Sequence, residues 1–394
     1  MQKRVQEDKQ SLRQSETFWH DHTRLLTLAL PMILANITTP LLGLVDTAVL
    51  GHMSAPAMLA GAAVGALILT QIYWVCGFLR MSSTGLSAQA RGHKDATLSS
   101  AKVLWQTLAV ASILGLGLLI LQAPILTAGL ALASPSDAVA VHLTEYYQVR
   151  VWGAPAAMLN LALIGYLVGQ QKTRTVMIIQ IIGNLVNAGL DITFVYVLSM
   201  SVAGVALASL IAEYSMAFMA MYVALKQVRG ITPQASWFNR AARKILMKLN
   251  TDMLLRNLAL QACLAFLTIQ GVRFGEMPAA VNAILLQFFV LIALGLDGVA
   301  YAVEALVGEA KGANNASEIK RRTYQGLFWS SLFAIGYSAI FYFGGHGIIS
   351  LLTEHQNIVS AALTYLPLMV ILPLLAHWCF LYDGVFVGLT KSSS

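Results

Sequence analysis

Charge is what this chain has least of. Only 11% of its 394 residues are Asp, Glu, Lys or Arg, 57% are apolar, and the mean hydropathy is +0.69. A soluble domain carries about a quarter charged residues, so the deficit excludes an ordinary water-soluble fold. Cysteine is scarce as well: Cys76, Cys263 and Cys379 are odd in number, far apart and inside apolar runs, which argues against a disulfide framework or a thiolate metal site. His377 lies well inside an apolar run with no second histidine at ligand spacing, so no metal is expected. The chain has no Walker loop, no H-E-x-x-H and no G-x-S-x-G. Direct ATP drive, enzymatic activity and a bound cofactor are therefore not expected.

What the chain does have is long apolar runs. Ten are of membrane-crossing length, at about 25–50, 57–80, 103–123, 146–169, 176–199, 202–225, 251–272, 279–303, 324–345 and 360–388. The stretch 124–140, interrupted by Pro124, Pro135 and Asp137, reads as an outer loop with an interfacial segment. The fold class expected is an all-α integral membrane protein.

The net charge of +7 could point to nucleic acid, but its distribution argues otherwise. With the N-terminus inside, the inner connections and termini hold 21 of the 25 Lys and Arg residues. This asymmetry is the positive-inside pattern of a multi-pass protein of the cell (inner) membrane, with no nucleic-acid partner expected. Residues 1–23 are polar and read as a cytoplasmic leader.

The sequence also repeats. Ala88-Gln-Ala-Arg-Gly92 returns as Gly308-Glu-Ala-Lys-Gly312. Gly165-Tyr-Leu-Val-Gly169 returns as Gly384-Val-Phe-Val-Gly388, at nearly the same spacing. Two lobes of one orientation follow, residues 24–227 (helices 1–6) and 251–394 (helices 7–10), joined by a cytoplasmic connection over 228–250. Helices 5 and 6 have no copy before residue 394, so the second lobe reads as incomplete against a twelve-helix parent of two six-helix lobes.

Polar residues inside the spans are costly and are the candidate machinery. Asp46 sits in the first span, which also carries Pro31 and Pro40 as hinge candidates. An acid held away from water is poised to exchange a proton. At similar depth lie Asn187 and Asp191 in the fifth span and Ser209 in the sixth, with Glu213 as a further acid. Arg80, Arg256, Asp297, Glu304 and Asp383 form a second polar group toward the inner end, read either as a gate that keeps the lobes closed or as static ion pairs. Arg150 reads as an isolated cation snorkelling to the interface.

Leu30-Pro-Met-Ile-Leu-Ala-Asn36 with Leu44-Val-Asp-Thr-Ala-Val-Leu-Gly51 resembles the first helix of the multidrug and toxic compound extrusion (MATE) family. Leu79 to Ala90, Leu296 to Glu304 and Leu381-Tyr-Asp-Gly384 are similar to its DinF branch. The resemblance implies a transporter that exchanges a cation for amphipathic, often cationic organic substrates. It implies that Asp46, Asn187, Asp191 and Ser209 couple protons to substrate, with Pro31 as the kink. The seventh helix offers Arg256, Asn257 and Gln261 where sodium-coupled members carry Glu, which favours the proton over sodium as coupling ion. A monomeric proton antiporter surrounded by membrane lipids is the expectation; a sodium-coupled antiporter or a lipid-carrier flippase of the same fold is the alternative.

Overall fold

The structure is a computed structural model. It describes residues 2–52 and 55–391, and the side chains of these from residue 21 onward except 42, 44, 46 and 47. Ten helices among the described residues are long and apolar enough to cross a membrane, one for each run expected from the sequence. The outward faces are apolar: Ile120, Phe218, Tyr222, Phe343 and Leu375 are exposed. Such surface suits lipid, where helices satisfy their own backbone.

Helix α1 (Gln2–Gly51) contains the first span. The polar leader is no separate segment, since residues 2–23 continue the same helix. Pro31 and Pro40 lie inside it and withhold a donor from the carbonyls of Thr27 and Asn36, four residues earlier. The second span is broken into α2 (Pro56–Val75) and α3 (Phe78–Gly92) at Cys76 and Gly77. Helix α4 (Ala96–Ile120) is the third span.

The stretch read as an outer loop is instead a helix, α5 (Gln122–Ala133). Pro124 occupies its first turn, where the backbone donor has no helical partner to lose. Ser134, with φ of 43°, closes it. Asp137 opens α6 (Asp137–Arg150), at the helix end that favours an acid. Helix α6 continues through a 3-10 turn into α7 (Ala154–Gly169), and α8 (Thr173–Ile192) and α9 (Val202–Gln227) complete the first half.

The connection expected over 228–250 is shorter than that. A 3-10 turn, Ala235–Phe238, is pinned to α4 by Gln106 Nε2, which donates to the Trp237 carbonyl at 2.7 Å, and α10 (Arg240–Arg273) starts at once, capped by Asn239. The second half is α10, α11 (Glu276–Gly312), α12 (Ala316–Leu352) and α13 (Gln356–Gly388).

The duplication is visible in the packing. Helix α3 packs on α7 in the first half, as α11 packs on α13 in the second. The glycines of the repeat make both contacts close. A Cβ on Gly165 would stand 2.3 Å from the Arg80 carbonyl oxygen, and one on its counterpart Gly384 would stand 2.7 Å from that of Ala300. The Gly169 and Gly388 pair meets the carbonyls of Thr84 and Glu304 at 2.6 Å each. Only a missing side chain allows helices to approach this closely.

Helix α1 belongs to both halves. The beginning of its membrane-crossing part is buried in the second half: Leu25, Leu28 and Ala29 pack with Val299, Ala302, Val303 and Leu306 of α11. Asn36 Nδ2 donates to the Leu294 carbonyl of α11 at 3.3 Å, whereas Thr38 accepts from Asn184 Nδ2 of α8 at 3.1 Å. Further on, Val49 and Leu50 are buried with Ala62, Tyr146, Val202 and Val205 of the first half. The crossover therefore falls between Asn36 and Thr38, just before Pro40.

Candidate functional site

Two polar groups are built inside the bundle, one in the first half and one where the halves meet. The first rests on α8 and α9. Asn187 and Asp191 lie one helical turn apart on one face of α8, and both are buried. Asn187 Nδ2 donates to Asp191 Oδ2 at 2.7 Å. Ser209 Oγ of α9 donates to Asn187 Oδ1 at 3.4 Å, which makes a short chain from hydroxyl through amide to carboxylate. Directly beyond Asp191 the helix widens into a π turn, Thr193–Val197. Such turns are frequent at functional sites.

Helix α1 packs along α8, and Asp46 is on α1, one turn before Leu50. The side chain of Asp46 lies outside the described residues. Glu213 is not part of the chain formed by Asp191, Asn187 and Ser209 in hydrogen-bonding terms. It holds Arg150 through two bonds, Nη1 to Oε2 at 2.7 Å and Nη2 to Oε1 at 2.5 Å. Both side chains are about one-seventh exposed, 13% and 15%. Arg150 therefore does not snorkel to the interface; α9 supplies a carboxylate that the sequence alone did not pair with it.

The second group gathers the five charges expected at the inner end. Arg80 of α3 meets Glu304 of α11 at 3.4 Å, and its guanidinium sits 4.1 Å over the Tyr301 ring. Arg256 of α10 meets Asp383 of α13 at 2.5 Å and reaches the Met81 sulfur at 3.5 Å. Asp297 lies within electrostatic reach of Arg80, Arg256 and Asp383. Of the two pairs, Arg80 with Glu304 crosses from one half to the other, and Arg256 with Asp383 ties α10 to α13.

Further charged contacts escaped the sequence reading. Asp21 at the start of the first span pairs with Arg321 and Arg322 of α12, and Trp329 Nε1 donates to His22 Nδ1 at 2.9 Å. Glu309 of α11 takes Arg24 at 2.6 Å and Arg91 at 3.2 Å. The repeat carried a signal for the last of these, since Glu309 stands where the first copy has Gln89. No local pattern could have named its partners.

Comparison with known proteins agrees with this architecture. The MatE family model matches residues 31–193 and 253–393, one segment in each half. The chain is 40% identical over 385 residues to DNA damage-inducible protein F of Escherichia coli (strain K12), covering 96% of this chain and 81% of that protein. The fold superimposes with a TM-score of 0.84 on a MOP superfamily transporter from Pyrococcus furiosus, at 20% identity, covering 94% of this chain and 83% of that one. It superimposes with a TM-score of 0.82, at 20% identity and the same coverages, on a multidrug resistance MATE family transporter described in an outward-facing conformation.

Proposed function

Because this chain belongs to the MATE family of multidrug efflux transporters, its two halves matching that family's model, we propose that it exports amphipathic, often cationic organic compounds in exchange for protons. The observation that carries the proposal is the buried group of Asp191, Asn187 and Ser209 on the helices against which α1 packs. In this reading the basic end of the bundle is the cytoplasmic one, and Asp46 and Asp191 titrate as a coupled group.

The physical logic is differential binding. A ligand shifts a two-state protein only by as much as it prefers one state. The ionised group favours a cationic substrate in the first half; a bound proton removes that charge and releases the substrate. Helix α1 provides the mechanical link, since it packs on α8 beyond Thr38 and on α11 before Asn36. A change in its fit at one end is felt at the other, and Pro31 and Pro40, each of which leaves a carbonyl without its helical donor, are the places where a bend costs least, Pro31 being the hinge that Pro31→Ala tests. One proton crossing 100 mV supplies about 2.3 kcal/mol, which moves a two-state ratio by roughly fifty-fold.

The test is efflux of a fluorescent organic cation from proteoliposomes under an imposed pH gradient, with and without sodium. Flux driven by the pH gradient in sodium-free buffer supports the proposal. Flux that only a sodium gradient drives replaces the proton with sodium at the same group, and movement of a lipid carrier with no organic cation flux assigns the fold to a flippase.

A further inference from the structure

At the basic end the halves close along a seam that the duplication makes nearly symmetric. Gly92 ends α3, and Gly312, its counterpart in the repeat, ends α11. A Cβ on Gly92 would stand 2.0 Å from the Glu309 carbonyl oxygen, and one on Gly312 would stand 1.9 Å from that of Gln89. The two backbones touch at both symmetry-related points. Gln89 and Glu309, themselves counterparts, each reach across the seam. Gln89 Nε2 donates to the Gly388 carbonyl at 2.9 Å and to Thr390 Oγ1 at 3.1 Å, while Glu309 Oε2 accepts from Gln171 Nε2 at 2.7 Å. Gln171 corresponds to Thr390 in the same register of the repeat that pairs Gly169 with Gly388.

Charge breaks the symmetry. Glu309 Oε2 also accepts from Arg24 Nη2 at 2.6 Å, and Oε1 accepts from Arg91 Nε at 3.2 Å. One carboxylate of the second half thus collects α1, α3 and the turn after α7, whereas its counterpart Gln89 has no charge with which to do so. This point is open to the surface. Arg91, Glu309, Ser100, Gln170 and Gln227 line a cavity of about 310 Å³, and the Arg24 and Glu309 side chains are 34% and 26% exposed. The deeper crossing pair differs, because the Glu304 side chain is only 2% exposed.

We propose that Glu309 is the latch of the export cycle, the carboxylate whose pairing with Arg24 and Arg91 holds the basic end closed and whose release starts its opening. The inference rests on the transport reading and names a positioning residue within it. Touching glycine backbones give close fit but no directional hold. Charge-assisted hydrogen bonds give direction. Partly exposed pairs are weak enough individually to break and reform in a cycle.

The experiment measures opening without substrate. Cys76, Cys263 and Cys379 are replaced, and Val387→Cys places one thiol under the seam, where Val387 is 1% exposed and its carbonyl meets α3 at Gly85. Its reaction rate with a maleimide then follows the fraction of molecules open at that end. Glu309→Gln, which gives the second copy the residue of the first, should raise the rate by about 5- to 30-fold, and Arg24→Gln should raise it in the same sense, while a control thiol at Ala206→Cys, buried in the first half away from the seam, reacts at the parent rate. Wild-type rates in both variants overturn the latch, as does an equal acceleration at Ala206→Cys, which would report loosening of the whole bundle instead of opening at the basic end. Neither readout involves transport, so failure of the latch is distinguished from failure of the export reading, which would appear as absent pH-driven flux in the unsubstituted protein.

Discussion

Arg150→Met is the substitution on which a local reading of the sequence and the tertiary structure disagree most. Met keeps an unbranched apolar stem and removes only the guanidinium. In the structure that guanidinium makes both hydrogen bonds to the Glu213 carboxylate, with the pair about one-seventh exposed. The neighbouring contacts do not depend on it: Asn160 Nδ2 donates to the Glu213 carbonyl at 2.9 Å, and Tyr214 Oη donates to the Trp152 carbonyl at 2.9 Å. The backbone of α9 should therefore stay in place and leave Glu213 buried without its counter-ion. Breaking a buried pair from one side costs about 3–5 kcal/mol, whereas an exposed pair is worth about 0–1 kcal/mol. Glu213→Leu alone should cost a similar amount. The double substitution should recover much of it, because an apolar replacement of both partners removes the stranded charge. Denaturant unfolding in detergent of the four proteins gives the coupling energy, expected at about 2 kcal/mol or more. A single-substitution cost below about 1 kcal/mol with no coupling would refute the argument and return Arg150 to the interface.

Asp46→Asn should abolish pH-driven efflux while leaving the thermal midpoint close to that of the parent, and wild-type flux in that protein rejects the assignment. Asp191→Asn should flatten the pH dependence of substrate binding, which in the parent weakens as pH falls through the apparent pKa of the coupled group; binding that ignores pH and follows sodium overturns proton coupling. Pro31→Ala restores a donor to the Thr27 carbonyl and should stiffen α1, so that structures of the first half at high and low pH look alike; a pH-dependent bend that survives the substitution rules out this hinge. Gly298→Ala should cost about 1–3 kcal/mol by overpacking, since its Cβ would meet Ile33 Cγ1 at 2.3 Å where α1 crosses α11. Thermal unfolding of Gly298→Ala with and without Ile33→Ala checks this, and equal stability of Gly298→Ala and parent contradicts it.

The sequence by itself determined the solvent, the ten spans and the duplication. Each of these is local: an apolar run long enough to cross a bilayer is read within about twenty residues, and a repeated segment needs only comparison with itself. It also put Asn187 and Asp191 together, since four residues make about one helical turn. The stretch 124–140 shows where local reading stops, because Pro124 and Asp137 break a helix or begin one according to the turn they occupy, and here each falls in a first turn. The long-range partners were decided only by the tertiary structure. Arg150 and Glu213 are 63 residues apart, Arg80 and Glu304 are 224, and Arg24 and Glu309 are 285. Which face of each helix turns inward depends on every neighbour at once, so a charge legible as buried carries no sign of its partner. The same holds for α1, whose membrane-crossing part carries no local mark that divides it: only packing gives the start of that part to one half and its end to the other, and so makes it the link between the two.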